Sequence, residues 1–125
     1  MILIIGGRAQ GKLEYVKKVH LAKQSEIAYC GELPRENIFD CRVVYGLQEL
    51  VREMLERDEN AAEFILTRLR EEHIIICNEV GSGVVPMSRL DRDYREEVGR
   101  ICCEIAAKSA VVERVVCGIA MRIKG

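Results

Sequence analysis

The stretch MILIIGGRAQGK, residues 1–12, decides the fold of this chain of 125 residues. Its first five residues are apolar and largely β-branched, which is the pattern of a strand that is buried on both faces, as in a parallel sheet. Gly6 and Gly7 end the strand, and apolar residues then recur at helical spacing from Lys12 to Lys23. A buried strand that turns through glycines into an amphipathic helix is the first half of a βαβ unit.

The rest of the chain repeats this alternation of apolar runs and helical periodicity. The predicted strands are Ile27–Cys30, Asn37–Cys41, His73–Cys77, Val111–Cys117 and a terminal strand around Met121–Ile123. The predicted helices carry Leu47–Leu55, Ala61–Leu69 and Leu90–Ile105, with loops at Gly31–Glu36 and Asn78–Pro86. The alternation predicts an α/β protein with a mostly parallel sheet covered on both faces, in a single domain over residues 1–125.

Composition and charge exclude several classes of protein. The net charge of −1 gives no overall field that would attract nucleic acid or an anionic membrane. No apolar run reaches the length of a signal-peptide core or a membrane span, so we expect a cytoplasmic protein. The six cysteines form no Cys-x-x-Cys pair, which predicts small buried side chains in a reducing compartment rather than disulfides or a zinc site. Cys30 and Cys103 are the two that we do not assign as inert.

The glycine-rich turn predicts a phosphate-binding loop, because residues 6–12 (GGRAQGK) satisfy the pattern G-x-x-x-x-G-K. Glycines let consecutive backbone N–H groups turn inward around phosphate oxygens, and the following helix offers its positive N-terminus. We predict a P-loop NTPase-like three-layer sandwich that binds ATP or GTP, with the ammonium group of Lys12 on the phosphates. A glycine-rich turn without a ligand is the alternative. The predicted binding residues are Gly6, Gly7, Arg8, Ala9, Gln10, Gly11, Lys12 and Leu13.

Two positions bear on a magnesium ion. Leu13 stands where these loops usually have a Ser or Thr that ligates Mg²⁺, and a leucine side chain cannot do so. Asp40 ends the predicted strand Asn37–Cys41, and ligands of open α/β sheets bind beyond the carboxyl ends of the strands. We therefore expect Asp40 to face the loop as a metal ligand; a helix cap or a turn is the alternative. Any Mg²⁺ would then depend on Asp40, water and the phosphates.

Three segments of the chain form a distinctive set: GGRAQGK at residues 6–12, Phe39-Asp40-Cys41, and NEVGSGVVP from Asn78 to Pro86. Together they resemble the adenosylcobinamide kinase / adenosylcobinamide-phosphate guanylyltransferase family of cobalamin biosynthesis. That family has GG-x-x-S-G-K-S, a strand ending in Asp-Cys, and T-N-E-V-G-x-G-I-V-P. The closing segment Val116–Lys124 is similar to the terminal strand pair of the family. The resemblance spans nearly the whole chain.

The resemblance implies an ATP- or GTP-dependent kinase that phosphorylates the aminopropanol hydroxyl of adenosylcobinamide, a corrinoid. It implies catalytic roles for Lys12, Asp40 and Glu79, and association into homo-oligomers. On position alone, an acid such as Glu79 at a strand end before a glycine-rich loop is also a reasonable base or ligand of a metal-bound water. A plain loop acid is the alternative for this residue.

The departures from the family concern its second activity. The family carries a long segment with the element H-R-x-x-R-P, whose histidine forms a covalent guanylyl intermediate. Here only Cys30–Glu36 joins the corresponding predicted strands, and His20 and His73 lie elsewhere, so we predict that guanylyl transfer is absent.

Three hypotheses remain open from the sequence. The first is a kinase acting on a cobinamide-like alcohol, which the retention of Lys12, Asp40 and NEVGSGVVP favours. The second is a non-catalytic nucleotide-binding regulator, which Leu13 favours. The third is a structural partner subunit of a full-length homologue.

Overall fold

A six-stranded sheet is the centre of the structure, a computed structural model that describes residues 1–80 and 88–125. The strands lie in the order β2-β3-β4-β1-β5-β6; the first five in the chain are parallel, and β6 runs antiparallel to β5. The predicted α/β fold with a mostly parallel sheet is confirmed. In chain order the strands are Ile2–Gly6, Ile27–Tyr29, Val43–Tyr45, Ile74–Asn78, Val111–Val116 and Ile119–Lys124.

Helices cover both faces of this sheet. On one face, Val16 of the first helix packs with Ile4 and Val115 of the sheet; on the other, Leu50 and Ile101 belong to a larger apolar cluster. This arrangement is the expected three-layer sandwich. None of the described helices is long and apolar enough to cross a membrane. The helices, α1 to α5 in chain order, are Lys12–Val19, Arg35–Ile38, Leu47–Glu56, Ala61–Leu66 and Arg89–Lys108, and a 3₁₀ turn spans Gln24–Glu26.

The central strand β1 is buried on both faces, as its apolar sequence predicts. Leu3 and Ile4 are 1% and 0% exposed and belong to the clusters on opposite sides of the sheet. Burying an aliphatic side chain of this size contributes about 1.5–3 kcal/mol, so the first strand anchors both layers.

The predicted strand Asn37–Cys41 is wrong. The segment Arg35–Ile38 forms the short helix α2, which begins directly after Pro34, a residue whose fixed φ suits the start of a helix. The buried side chains of Ile38 and Phe39 face the core from this turn and give the segment its apolar character. The chain enters the sheet later, at Val43–Tyr45.

The cysteines are all free thiols, and the expectation that they are buried holds only in part. Cys30 and Cys77 are buried, whereas Cys103 and Cys117 are exposed. Cys103 lies on the outer surface of α5, and Cys117 lies in the turn between β5 and β6, where its φ of 51° is in the left-handed region. Apolar neighbours in sequence therefore did not imply burial at these two positions.

Candidate functional site

The predicted phosphate loop leaves the carboxyl end of β1 in a conformation that requires glycine. A Cβ atom on Gly6 would lie 2.4 Å from the carbonyl oxygen of Val115 in the neighbouring strand β5. Ala9 and Gly11 have φ angles of 58° and 86°, in the left-handed region, and a Cβ on Gly11 would come within 3.3 Å of Gly118. The two glycines of the motif thus permit a close approach to β5 and to the turn after it.

The start of helix α1 is open toward this loop. Its N-cap residue is Gly11, and no side chain caps the first turn. The first N–H groups of a helix have no partner within the helix, and no described group accepts a hydrogen bond from the amides of Lys12 or Leu13. Uncapped amides at the positive end of a helix dipole can bind an anion.

The side chain of Lys12 lies back along the loop. Lys12 is 4% exposed, and its Nζ donates a hydrogen bond of 2.6 Å to the carbonyl oxygen of Gly7. Burial lowers the pKa of the ammonium group from its usual value, while the nearby Cys77 and Glu79 act in the opposite direction. The cation is therefore held at the loop rather than extended into solvent.

Gln10 braces the loop against the turn between β5 and β6. Its Oε1 accepts a hydrogen bond of 2.7 Å from the backbone N–H of Cys117, and its carbonyl oxygen accepts one of 2.8 Å from Gly118. The side chain of Gln10 is thus engaged within the protein, so any ligand contact at this position falls to the backbone. Sequence reasoning missed this brace because no local pattern links residues so distant in the chain.

Glu79 lies directly after the end of β4, beside the loop. Its N–H donates a 2.9 Å hydrogen bond to the carbonyl oxygen of Gly6. Its carboxylate accepts two hydrogen bonds from the guanidinium group of Arg114, at 2.7 and 3.0 Å, and these raise the pKa of that guanidinium. Arg114, which sequence reasoning missed, belongs to the same site because its strand β5 adjoins β1.

Asp40 lies at the opposite edge of the sheet, so the prediction that it faces the loop is wrong. It is exposed and precedes β3, whereas the loop follows the carboxyl end of the parallel strand β1. Its neighbour Phe39 accepts hydrogen bonds from Arg70 and His73, which also precede a strand at that amino-terminal edge. The error follows from the misassigned strand, which ended at this acid.

The described residues around the loop do not bring the predicted magnesium ligands together. Leu13 packs with the apolar cluster on the α1 side of the sheet, Asp40 is at the far edge, and Glu79 is engaged with Arg114. Among the described residues there is no group of three His, Cys, Asp or Glu side chains that could hold a metal ion. The glycine-rich part of the predicted loop Asn78–Pro86 falls in residues 81–87, outside the described residues.

A cavity of about 520 Å³ opens beside the phosphate loop, at the carboxyl ends of β2, β3 and β4. Two residues of the loop tip, Arg8 and Ala9, form one of its walls. Sequence reasoning missed this cavity because β3 was placed six residues too early. Its lining is rich in aromatic and acidic side chains: Arg8, Ala9, Tyr29, Cys30, Glu32, Tyr45, Gly46, Gln48, Glu49, Asn78 and Tyr94.

Residues 34–123 match the CobU family, described as cobinamide kinase / cobinamide phosphate guanyltransferase. The match begins after the predicted phosphate loop. The assignment of that loop therefore depends on its own sequence pattern and geometry. The matched range includes β3, β4, α5 and the final strand pair.

Several curated relatives share this similarity. The bifunctional adenosylcobalamin biosynthesis proteins CobU of Escherichia coli and Salmonella typhimurium are 45% and 43% identical to the chain over 51 residues, which is 41% of this chain and 28% of theirs. The bifunctional adenosylcobalamin biosynthesis protein CobP of Pseudomonas aeruginosa is 32% identical over 91 residues, which is 70% of this chain and 53% of that protein. The chain thus spans between 28% and 53% of the length of these relatives.

Proposed function

This chain belongs to the cobinamide kinase / cobinamide phosphate guanyltransferase family, and on that premise we propose that it binds a nucleoside triphosphate and phosphorylates an alcohol. The nucleotide, ATP or GTP, binds at residues 6–13, and a cobinamide-like alcohol is the acceptor. The observation that carries this proposal is the uncapped start of α1 with the buried ammonium group of Lys12 beside it.

The reaction needs little from the protein beyond positioning and charge. The acceptor oxygen forms a bond to the γ-phosphorus, the bond from that phosphorus to the β–γ bridging oxygen breaks, and the nucleoside diphosphate leaves with the electron pair. The hydroxyl proton is released to water. Lys12 and the loop amides stabilise the charge on the transferring group. Glu79, which is paired with Arg114, holds the start of the loop in place through its hydrogen bond to Gly6. Asp40 has no role in the proposed reaction.

A non-catalytic nucleotide-binding protein is the second candidate. Two observations favour it: Leu13 is part of an apolar cluster, and the carboxylate of Glu79 is engaged with Arg114. Such a protein would bind the phosphates without a metal ion. A structural partner subunit of a full-length homologue is a third candidate, and homo-oligomers and a cytoplasmic location stay predictions.

Calorimetry with ATP and with GTP, with and without Mg²⁺, separates these candidates. Binding that strengthens with Mg²⁺, together with phosphate transfer to cobinamide, supports the kinase. Binding that is indifferent to Mg²⁺, without transfer, supports the non-catalytic protein. If neither nucleotide binds at millimolar concentration, the proposal is wrong.

The variant Leu13→Ser sharpens this test by supplying the hydroxyl that such loops usually offer to Mg²⁺. Because Leu13 contributes to the core, its thermal stability is measured first, and some loss is expected. A gain of phosphoryl transfer in this variant, with none in the wild type, would show that the wild-type loop lacks only the metal ligand.

A further inference from the structure

Two cysteine side chains meet where strand β4 packs against helix α5. Cys77 is 0% exposed and belongs to the same apolar cluster as Val98 and Ile101 of that helix. Cys102 lies on α5, is half-buried and packs against this cluster. The two thiols interact through a hydrogen bond, and neither is part of a disulfide. The fold thus forms a thiol pair from two residues that are distant in the chain.

The two thiols of this pair differ in acidity. The hydrogen bond from Cys77 stabilises the thiolate of Cys102 and lowers the pKa of that thiol, although burial opposes the effect. The hydrogen bond with Cys102, together with burial, raises the pKa of Cys77. The Sγ of Cys77 also lies 3.5 Å from the carbonyl oxygen of Asn78, which offers its hydrogen a second acceptor while Cys102 is neutral. Because the thiolate is the form that reacts with oxidants, Cys102 is the member of the pair that reacts first.

A cavity gives an oxidant access to Cys102. Its volume is about 270 Å³, and it lies between α5 and the carboxyl ends of β1 and β4. Gly99, nearly one turn before Cys102 on α5, leaves this side open, because a Cβ built there meets nothing within 4 Å. Hydrogen peroxide is close in size to water, which occupies about 30 Å³, so it fits easily. Cys77 is not among the described lining residues, which are Ile5, Asn78, Glu79, Val80, Val98, Gly99 and Cys102.

The other cysteines near this pair lack the same combination of acidity and access. Cys30 is close enough to Cys77 to influence it, but burial, with Glu49 and Glu53, raises the pKa of Cys30 itself to about 12. Cys103 is exposed on the outer surface of α5, away from the cluster that contains Cys77. An accessible cysteine of lowered pKa beside a second thiol is the arrangement of redox-sensing cysteines.

We propose that Cys102 and Cys77 form a reversible disulfide when the protein meets a hydroperoxide. The thiolate of Cys102 attacks one peroxide oxygen, the O–O bond breaks, and the other oxygen leaves with the electron pair and takes up a proton. The sulfur of Cys77 then attacks the resulting sulfenic sulfur, the S–S bond forms, and the S–O bond breaks. The leaving hydroxide takes the proton of Cys77. With hydrogen peroxide, two thiols are oxidised to one disulfide while the peroxide is reduced to two water molecules.

The position of the pair ties it to the predicted phosphate loop. Cys77 is paired with Ile5 in the register of β4 and β1, one residue before the loop begins at Gly6. The disulfide therefore links α5 to the strand beside the loop. In the family pattern T-N-E-V-G, threonine stands at the position of Cys77, so this pair is a feature of this chain. The inference does not depend on the proposed function, because its test measures thiols and needs no nucleotide.

The test treats the full chain with equimolar hydrogen peroxide, blocks the remaining thiols with N-ethylmaleimide and maps them by peptide mass spectrometry. We expect a peptide in which Cys77 is linked to Cys102, and recovery of both thiols with dithiothreitol. Cys102 should be oxidised several-fold faster than Cys103, its more exposed neighbour. The proposal is overturned if Cys103 reacts as fast as Cys102, if Cys77 links to Cys30 instead, or if Cys77 and Cys102 both stay reduced.

Two variants separate the attacking thiol from the resolving thiol. In Cys102→Ser, Cys77 should stay reduced, because it is buried and its thiolate is disfavoured. In Cys77→Ala, Cys102 should stop at the sulfenic acid and be trapped by dimedone several-fold more than in the wild type. The matched control Cys103→Ser should form the same linked peptide as the wild type.

Thermal unfolding checks Cys77→Ala first, because this residue is buried. If that variant does not fold, Cys102→Ser decides the question, since it changes a half-buried position on the helix. Oxidation of Cys77 to the wild-type extent in Cys102→Ser would show that Cys102 is not the attacking thiol and would overturn the proposal.

Discussion

The two edges of the sheet differ in how completely their polar groups are paired. At the amino-terminal edge, buried His73 accepts a hydrogen bond from the N–H of Arg70 and donates one to the carbonyl oxygen of Phe39, both at 2.9 Å. At the carboxyl edge, the first amides of α1 and the Nε2 of Gln48 have no partner among the described residues. The buried histidine at one edge is satisfied by the protein itself, whereas these donors at the other edge are open to a ligand.

The pairing of polar groups at the two edges is a better guide to the candidate site than the types of residue present. An acid and a histidine are present at the amino-terminal edge, but the imidazole of His73 is hydrogen-bonded within the protein and Asp40 is exposed far from the loop. The carboxyl edge relies on backbone amides, one lysine and an amide side chain. Because a buried unpaired polar group costs free energy, these open donors support the proposal that a ligand binds at the carboxyl edge.

The largest expected effect comes from the close approach of the loop to β5. In Gly6→Ala the new Cβ would meet the carbonyl oxygen of Val115 at 2.4 Å, and backbone cannot move aside cheaply. We expect a loss of about 3 kcal/mol in the free energy of unfolding, measured by urea denaturation. The control is Gly99→Ala on α5, where a Cβ meets nothing within 4 Å. It should gain about 0.5–1 kcal/mol, and equal effects of both changes would refute this account.

Lys12→Met should weaken nucleotide binding roughly 10- to 150-fold, because a hydrogen bond from a charged group contributes about 1.5–3 kcal/mol. Stability should not fall, since the change removes a buried charge and keeps the side-chain length. Calorimetry measures the affinity and urea denaturation the stability. Lys18→Met, an exposed lysine of the same helix, is the control and should bind like the wild type. If Lys12→Met binds nucleotide as tightly as the wild type, the phosphates do not bind beside Lys12.

His73 should make the amino-terminal edge sensitive to acid. Burial lowers the pKa of this imidazole from its ordinary 6.5, so below pH 6.5 the unfolded chain takes up a proton that the folded protein resists. The contribution of His73 to the free energy of unfolding is therefore complete above pH 6.5. It declines as the pH falls toward the lowered pKa of the folded protein. His73→Gln should cost about 1 kcal/mol at pH 7.5 and should flatten the decline between pH 6.5 and 5. Urea denaturation across this range measures both, and identical slopes in the two proteins would contradict the prediction.

The smallest expected effect is that of Asp40→Asn. This carboxylate is exposed at the amino-terminal edge, so nucleotide affinity should stay within about twofold of the wild type, with or without Mg²⁺. The matched change Glu79→Gln removes a negative charge near Lys12 and should raise nucleotide affinity a few-fold. If Asp40→Asn lowers nucleotide affinity and Glu79→Gln leaves it unchanged, the nucleotide binds at the amino-terminal edge and this assignment is wrong.

The sequence by itself determined the α/β class, the buried first strand and the glycine-rich turn between β1 and α1. Each follows from local chemistry: an apolar β-branched run favours a buried strand, and glycines at residues 6 and 11 permit a backbone that other residues resist. The family resemblance, rather than a local pattern, is what grouped Glu79 with Lys12 in one site.

Only the tertiary structure decided where Asp40 lies, which partner Gln10 has, and that a cavity lies beside the loop. The buried turn at Ile38 and Phe39 and the true strand at Val43–Tyr45 have similar apolar composition, and only pairing with β4 selects between them. Contacts such as Gln10 with Cys117 or Gln48 with Asn78 join residues distant in the chain. Such contacts depend on strand order, which local sequence patterns do not encode.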